Sequence, residues 1–182
     1  MKVALDAGHG AGTGACGGGF VEDRLNLEMV IRIGHYLRLS GATTCLTRTK
    51  DELIPISARA SIALREKCDV LISVHFNAGP AKARGAECFI VAGDERSATI
   101  AGRIMHQLSL LALPLRGVKA DNQGAHSRLG ILRGVYKRMP AVLVEAAFLT
   151  NVQDAELLRD RLFRDRLAKA IATGILGLPV HV

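Results

Sequence analysis

Three residues of useful chemistry stand where apolar runs end. Val3-Ala4-Leu5-Asp6-Ala7-Gly8-His9-Gly10 leads into a glycine-rich turn presenting His9. Val70-Leu71-Ile72-Ser73-Val74-His75-Phe76-Asn77 and Ala141-Val142-Leu143-Val144-Glu145 repeat the plan. Continuous apolar runs of this length read as buried parallel strands. Ligands of open α/β sheets gather just beyond the carboxyl ends of the strands, so His9, His75 and Glu145 are expected to converge. A histidine ending a buried run needs a partner for each ring nitrogen. One alone reads as a satisfied core residue, whereas two on predicted parallel strands point to a metal, with zinc as the expected ion.

Catalytic zinc takes three protein ligands and leaves a position for water. Glu22, Asp23 and Glu28 are the candidates for the third. Glu28 falls inside a helix and reads as surface, and Asp23 is accounted for by the helix dipole. Glu22, at the loop-to-helix junction, can swing back towards His9. Glu145 is costly to bury unpaired. It either exchanges protons with a metal-activated water or forms a salt bridge, with Arg133 or Arg48 as partner. Arg133 is expected to steer substrate or hold Glu145, and Asn77 is a further candidate substrate contact. Asp6 either orients a ligand histidine or simply ends its strand. Cys16, in the glycine loop, reads as an incidental small residue rather than a soft ligand.

Gly12-Thr13-Gly14-Ala15-Cys16-Gly17 satisfies a dinucleotide-binding pattern, but that motif needs its glycines at the strand-to-helix turn itself. Here a long loop still precedes the helix, and the second strand runs into Arg48 rather than an acidic residue. The nucleotide reading is set aside.

The elements that must position these residues alternate. Strand 3–7 and loop 8–22 lead to a helix over 23–39, with Leu27, Val30, Ile31, Gly34 and Leu37 as its apolar stripe and Ser40-Gly41 as its stop. A strand over 42–47 precedes a helix over 56–67, with Pro55 at its start and Ile56, Ala60, Ala63 and Leu64 on one face. The His75 strand, a loop over 78–85 and a strand over 86–92 come next. A helix over 95–113 follows, with Asp94 as its expected cap and Pro114 as its limit. Residues 115–130 read as an irregular basic surface loop, and 131–133 as a short strand. After the Glu145 strand, Asn151 with Asp154 caps a terminal helical region to about 176. The expected fold is a three-layer α/β sandwich with a mostly parallel sheet, one domain over 1–182.

At 182 residues the chain can bury a full core. A formal charge of +7 suits a polyanion, whether nucleic acid, anionic lipid or bacterial wall polymer, or serves solubility alone. Aromatics at 4% with no Trp argue against base stacking and nucleic acid. No apolar run is long enough to insert in a membrane, and the start lacks a signal-peptide segment. Either export is unnecessary or a leader has been removed. Cys16, Cys45, Cys68 and Cys88 show no disulfide spacing, and the last three read as buried thiols.

The chain resembles the zinc-dependent N-acetylmuramoyl-L-alanine amidases of the Amidase_3 type over nearly its whole length. The matching pieces are Leu5 to Gly10, Glu22 to Leu27, Leu46-Thr47-Arg48, Ser57-Ala58-Arg59-Ala60 and Ser73 to Ala78. They continue with Gly85-Ala86-Glu87, Leu132-Arg133 and Pro140 to Asn151. The resemblance implies zinc on His9, Glu22 and His75, Glu145 in the catalytic position, and peptidoglycan as substrate. The amide cut would join the lactyl group of N-acetylmuramic acid to L-alanine. Ala147 departs from the glycine usual there, and 78–110 is too short for the blocking helix of regulated relatives, which implies an uninhibited enzyme. Without a leader, the resemblance suits a phage endolysin, cytoplasmic until release, or a domain trimmed from an exported bacterial amidase. A zinc exopeptidase using Arg133 for a substrate carboxylate, and a non-catalytic wall-binding module, are the competing readings.

Overall fold

The structure, a computed structural model, describes residues 1–123 and 128–178; His126 and His181, which lack strand-end placement in the sequence and are expected to be surface or core residues, lie outside them. In chain order come β1 (Lys2–Ala7), the short strands β2 (Cys16–Gly17) and β3 (Phe20–Val21), α1 (Glu22–Leu39), β4 (Thr43–Leu46), α2 (Ile56–Arg65) and β5 (Val70–Asn77). They are followed by β6 (Ala86–Ile90), α3 (Glu95–Leu108), β7 (Leu115–Ala120), α4 (Gly130–Arg133), β8 (Ala141–Phe148), α5 (Val152–Arg159) and α6 (Arg161–Leu176).

Six strands form one sheet in the order β4-β1-β5-β8-β6-β7, and β2 and β3 form a separate hairpin. β4, β1, β5 and β8 run parallel; β6 pairs antiparallel with β8, and β7 follows β6. The starts of β6 and β7 therefore lie at the same sheet edge as the ends of β1, β5 and β8. Leu5, Ile72, Val74 and Val144 face a core filled by Met29 and Ile33 of α1, Ile104 of α3 and Leu167 and Ile171 of α6. Ala4, Leu71, Leu143 and Phe89 face a smaller cluster holding Ala60 and Ala63 of α2 and Ile131 and Leu132 of α4. Helices thus cover both faces, as the alternating pattern predicts.

Several local expectations are corrected. Leu115–Ala120 is a strand, not an irregular loop: as an edge strand it pairs on one side only and needs no apolar run. Residues 131–133 belong to a helical turn, because a brief apolar pair fits either period. The glycine loop contains the β2–β3 hairpin, and the terminal region breaks into two helices at Asp160, whose side chain caps α6 through Leu162 N–H. On α1 the buried stripe runs through Leu25, Met29, Val30, Ile33 and Leu37, while Ile31 is exposed. Ile56 is likewise exposed rather than packed. Asp94 accepts from the Ser97 hydroxyl instead of capping a backbone amide. Cys45 is only half-buried, and Cys16 is exposed. Asn151 does cap α5, accepting from the amides of Gln153 and Asp154.

Candidate functional site

β1 delivers His9 through a backbone that no ordinary turn would hold. His9 has φ 59°, a left-handed conformation uncommon outside glycine. Two buried arginines fix that segment from behind. Arg48 donates to the Ala7 and Gly8 carbonyls at 2.9 and 3.0 Å, and Arg59 donates to those of Ala7 and His9. Asn26 from α1 adds a bond to the Gly8 carbonyl at 3.1 Å.

β5 delivers His75 beside that turn. A Cβ on Gly8 would lie 2.2 Å from the His75 ring, so glycine is the residue that lets the imidazole lie across the end of β1. Gly14 plays the matching part in the loop, where a Cβ would meet Glu22 Oε2 at 2.7 Å and the His9 ring at 2.9 Å. The first residue of α1, Glu22, enters this space almost fully buried. Its Oε1 lies 3.0 Å from His75 Nδ1 and 3.2 Å from His9 Nε2. Oε2 accepts from Ala15 N–H at 2.7 Å, and Oε1 also accepts from Phe76 N–H at 3.3 Å. Burial raises the Glu22 pKa, yet hydrogen bonds from His75 and His9 outweigh it and hold the carboxylate well below its ordinary range. Burial conversely lowers His75, but Glu22 and then Glu145 carry the imidazole above its usual value.

The structure thus brings His9, Glu22 and His75 together, with one donor atom from each lying within 4.8 Å of the others. Two imidazole nitrogens and a carboxylate oxygen converging with both rings edge-on, centroids 5.0 Å apart, are a donor set that fits a zinc-type divalent ion.

Glu145 stands directly beside His75 across the β5–β8 pairing. It is 5% exposed, and its Oε2 has no hydrogen-bond partner among the described residues. Burial pushes its pKa up to about 7; His75 opposes this, while Glu22 and Glu87 add to it. The expected salt bridge to Arg133 or Arg48 is not formed. Arg48 is committed to backbone carbonyls. Arg133 is committed to the buried Asp121, with Nε and Nη2 at 2.6 and 2.9 Å from its oxygens. A carboxylate as buried as Asp121 needs a countercharge, and Arg133 supplies it.

Asp6 also departs from expectation. It accepts from Thr47, Ser73 and Arg59 at 2.6, 2.6 and 3.0 Å, and among the described residues from no histidine. Its influence on the site runs through Arg59 to the His9 carbonyl. Asn77 shares a cavity of about 370 Å³ with His9, Glu22, His75 and Glu145, its amide donating to Glu87 at 2.7 Å. An adjoining cavity of about 260 Å³ is lined by Leu53, Ile54, Ile56, Leu129 and Ile131 beside His9 and His75. His35 and His106 are exposed on α1 and α3, away from the cluster. Sequence reasoning passed over Arg59 and Glu87 as individual residues. The signal for Arg59 was an arginine on the Ala60 and Ala63 face of α2, and for Glu87 a carboxylate opening the apolar run Cys88-Phe89-Ile90-Val91.

Fold and site define a class: an α/β sandwich carrying a His-Glu-His metal-type cluster and a buried free carboxylate at the strand ends. The chain belongs to the N-acetylmuramoyl-L-alanine amidase family, whose model matches residues 3–177. It is 33% identical to the uncharacterized protein YqiI of Bacillus subtilis, over 95% of this chain and 82% of that protein. It is 32% identical to the B. subtilis N-acetylmuramoyl-L-alanine amidase LytC, covering 96% of this chain but only 35% of that longer enzyme. Among solved structures, the catalytic domain of CwlV from Paenibacillus polymyxa superposes with a TM-score of 0.85 at 29% identity, over 97% of this chain and 96% of that domain.

Proposed function

We propose that this chain is a zinc-dependent amidase that hydrolyses the bond between N-acetylmuramic acid and L-alanine in peptidoglycan. The observation that carries the reading is the pairing of His9, Glu22 and His75 with a buried Glu145 whose Oε2 has no hydrogen-bond partner among the described residues. Names among the relatives point the same way, including the endolysin of Bacillus phage SPP1, 32% identical over 95% of this chain and 64% of that protein.

In this reading His9, Glu22 and His75 would hold the ion. When bound, zinc supplies Lewis-acid polarisation of a carbonyl and brings the pKa of water to near neutrality. Glu145 Oε2 takes the proton from the attacking water and gives it to the departing alanine nitrogen. Burial suits it to both tasks, because a carboxyl with pKa near the working pH gives and takes protons with little free-energy cost. Glu22 stays ionised throughout, since the two imidazoles depress its pKa. The exopeptidase alternative loses its candidate carboxylate-binding residue, because Arg133 is occupied by Asp121. The basic charge supports a second contact, with anionic wall polymers. No helix among the described residues is long and apolar enough to cross a membrane.

The test is mass spectrometry of digested peptidoglycan with metal analysis of the same preparation. Stem peptides headed by free L-alanine, released by protein carrying one zinc, are the expected outcome; shortened stems would point to a peptidase. Glu145→Gln should lower turnover at least about hundredfold, the scale of a lost general acid–base group, while zinc content is kept. Unchanged turnover in that variant would remove Glu145 from the mechanism.

A further inference from the structure

Beyond Glu145 the sheet carries a second charged group. Glu87 of β6 is the antiparallel partner of Glu145, so His75, Glu145 and Glu87 form a row across three strands on one face. Glu87 is buried, and it accepts from three side chains. Asn77 donates from the wall of the metal cavity at 2.7 Å. From β7, Arg116 Nε donates at 2.9 Å, and Lys119 Nζ completes the set. One carboxylate therefore faces two cations, leaving a net positive charge at the start of β7. The Arg116 guanidinium lies 4.9 Å from the centroid of the Phe148 ring, a stacking contact that fixes its plane. Its side chain is 36% exposed, and among the described residues its two Nη nitrogens make no hydrogen bond. A planar guanidinium with a free edge is built to take a carboxylate through two parallel hydrogen bonds.

The direction of the substrate follows from the proposed function, on which this inference rests. Glu145 protonates the departing nitrogen, so the peptide half leaves on the Glu145 side of the metal, towards β6 and β7. The acyl half lies on the opposite side, over the apolar wall of Leu53, Ile54 and Ile56. Strands lie about 4.8 Å apart, which puts β7 about 10 Å from β8. Two residues of extended peptide span about 7 Å, and the Arg116 side chain reaches back to Glu87 to meet them. We infer that Arg116, held by Glu87 and Phe148 and supported by Lys119, binds a carboxylate on the second residue of the departing peptide.

The test compares intact peptidoglycan from cells that leave that carboxyl free with peptidoglycan from cells that amidate it. Wild-type protein is expected to favour the free acid about tenfold in kcat/KM, the worth of a charged hydrogen bond, with the difference in KM. In Arg116→Ala the ratio should collapse to about one. Arg116→Lys, which keeps charge but loses the fork, should fall between. A thermal midpoint measured alongside reads any structural effect, which would lower rates on both materials and leave the ratio intact. No preference in the wild type, or a wild-type ratio in Arg116→Ala, overturns the inference while leaving the amidase reading in place. Failure of the wild type to release L-alanine-headed peptides from either material would instead sink the amidase reading, and this inference with it.

Discussion

Glu145 is the residue whose environment most directly fixes a measurable property. Its folded-state pKa of about 7 lies above the ordinary 4.5 because it is buried. Below pH 4.5 it is protonated in both folded and unfolded chains and costs nothing. Between 4.5 and about 7 only the unfolded chain ionises it, so stability falls as pH rises. Above that range the penalty is constant, roughly 3 kcal/mol. Metal-stripped Glu145→Gln should therefore unfold at a higher denaturant midpoint than metal-stripped wild type at about pH 8, the gap closing by about pH 4. Equal midpoints at the higher pH would show that the carboxylate is solvated or paired. His9, His75 and Glu145 were visible in the sequence because each follows an apolar run, where a parallel strand delivers its last residue to the sheet edge. Glu87 carries the same signature reversed, at the start of its run. It was invisible as a site residue because only the antiparallel direction of β6 brings a strand's beginning to that edge.

At the scale of elements, α2 contributes a brace rather than a reactive group. Arg59 and Asp6 form an ion pair at 3.0 Å with both side chains almost fully buried. Arg59 also holds the carbonyls of Ile54, Ala7 and His9. It thereby couples the loop entering α2, the end of β1 and the strained turn at His9. Arg59→Ala leaves Asp6 without its countercharge and takes a donor from the carbonyls of Ile54 and His9, while that of Ala7 keeps Arg48. The expected cost is about 3–5 kcal/mol in unfolding free energy, and zinc affinity should fall about tenfold or more, as when supports of metal ligands are removed. Urea unfolding and competition with a chelating dye measure the two separately; a variant with wild-type zinc affinity would show that His9 needs no such brace. The helices themselves were legible from their periodicity. β7 was not, because an edge strand can be built from Arg116-Gly117-Val118-Lys119 with no apolar alternation, and its pairing to β6 is a long-range fact. Nor was the brace, since nothing local in Ser57-Ala58-Arg59-Ala60 says which carbonyls the arginine will reach.

The whole molecule adds a term that no single contact holds. Twenty-four Lys and Arg against seventeen Asp and Glu leave +7 on a chain of 182 residues. Many of these charges are already spent internally, as in Arg59 with Asp6, Arg133 with Asp121 and Arg164 with Glu28. Pairing within the protein leaves this net excess unchanged. If that excess draws the protein to anionic wall polymers, attraction between exposed charges should weaken as the screening length shrinks from about 10 Å at 0.1 M salt to about 3 Å at 1 M. Chemistry at the His9, Glu22 and His75 cluster should be affected far less. Sedimentation with walls that carry their anionic polymers should therefore lose bound protein steeply across that salt range. Walls stripped of those polymers should bind less at low salt and show a shallow dependence. Turnover on soluble muramoyl peptides with amidated carboxyls should change by less than about twofold over the same range, because uncharged encounter is not steered. A steep salt loss on stripped walls would place the attraction in the peptidoglycan itself. In that case the carboxylates of the stem peptides, rather than a separate polymer, would be what the basic surface meets.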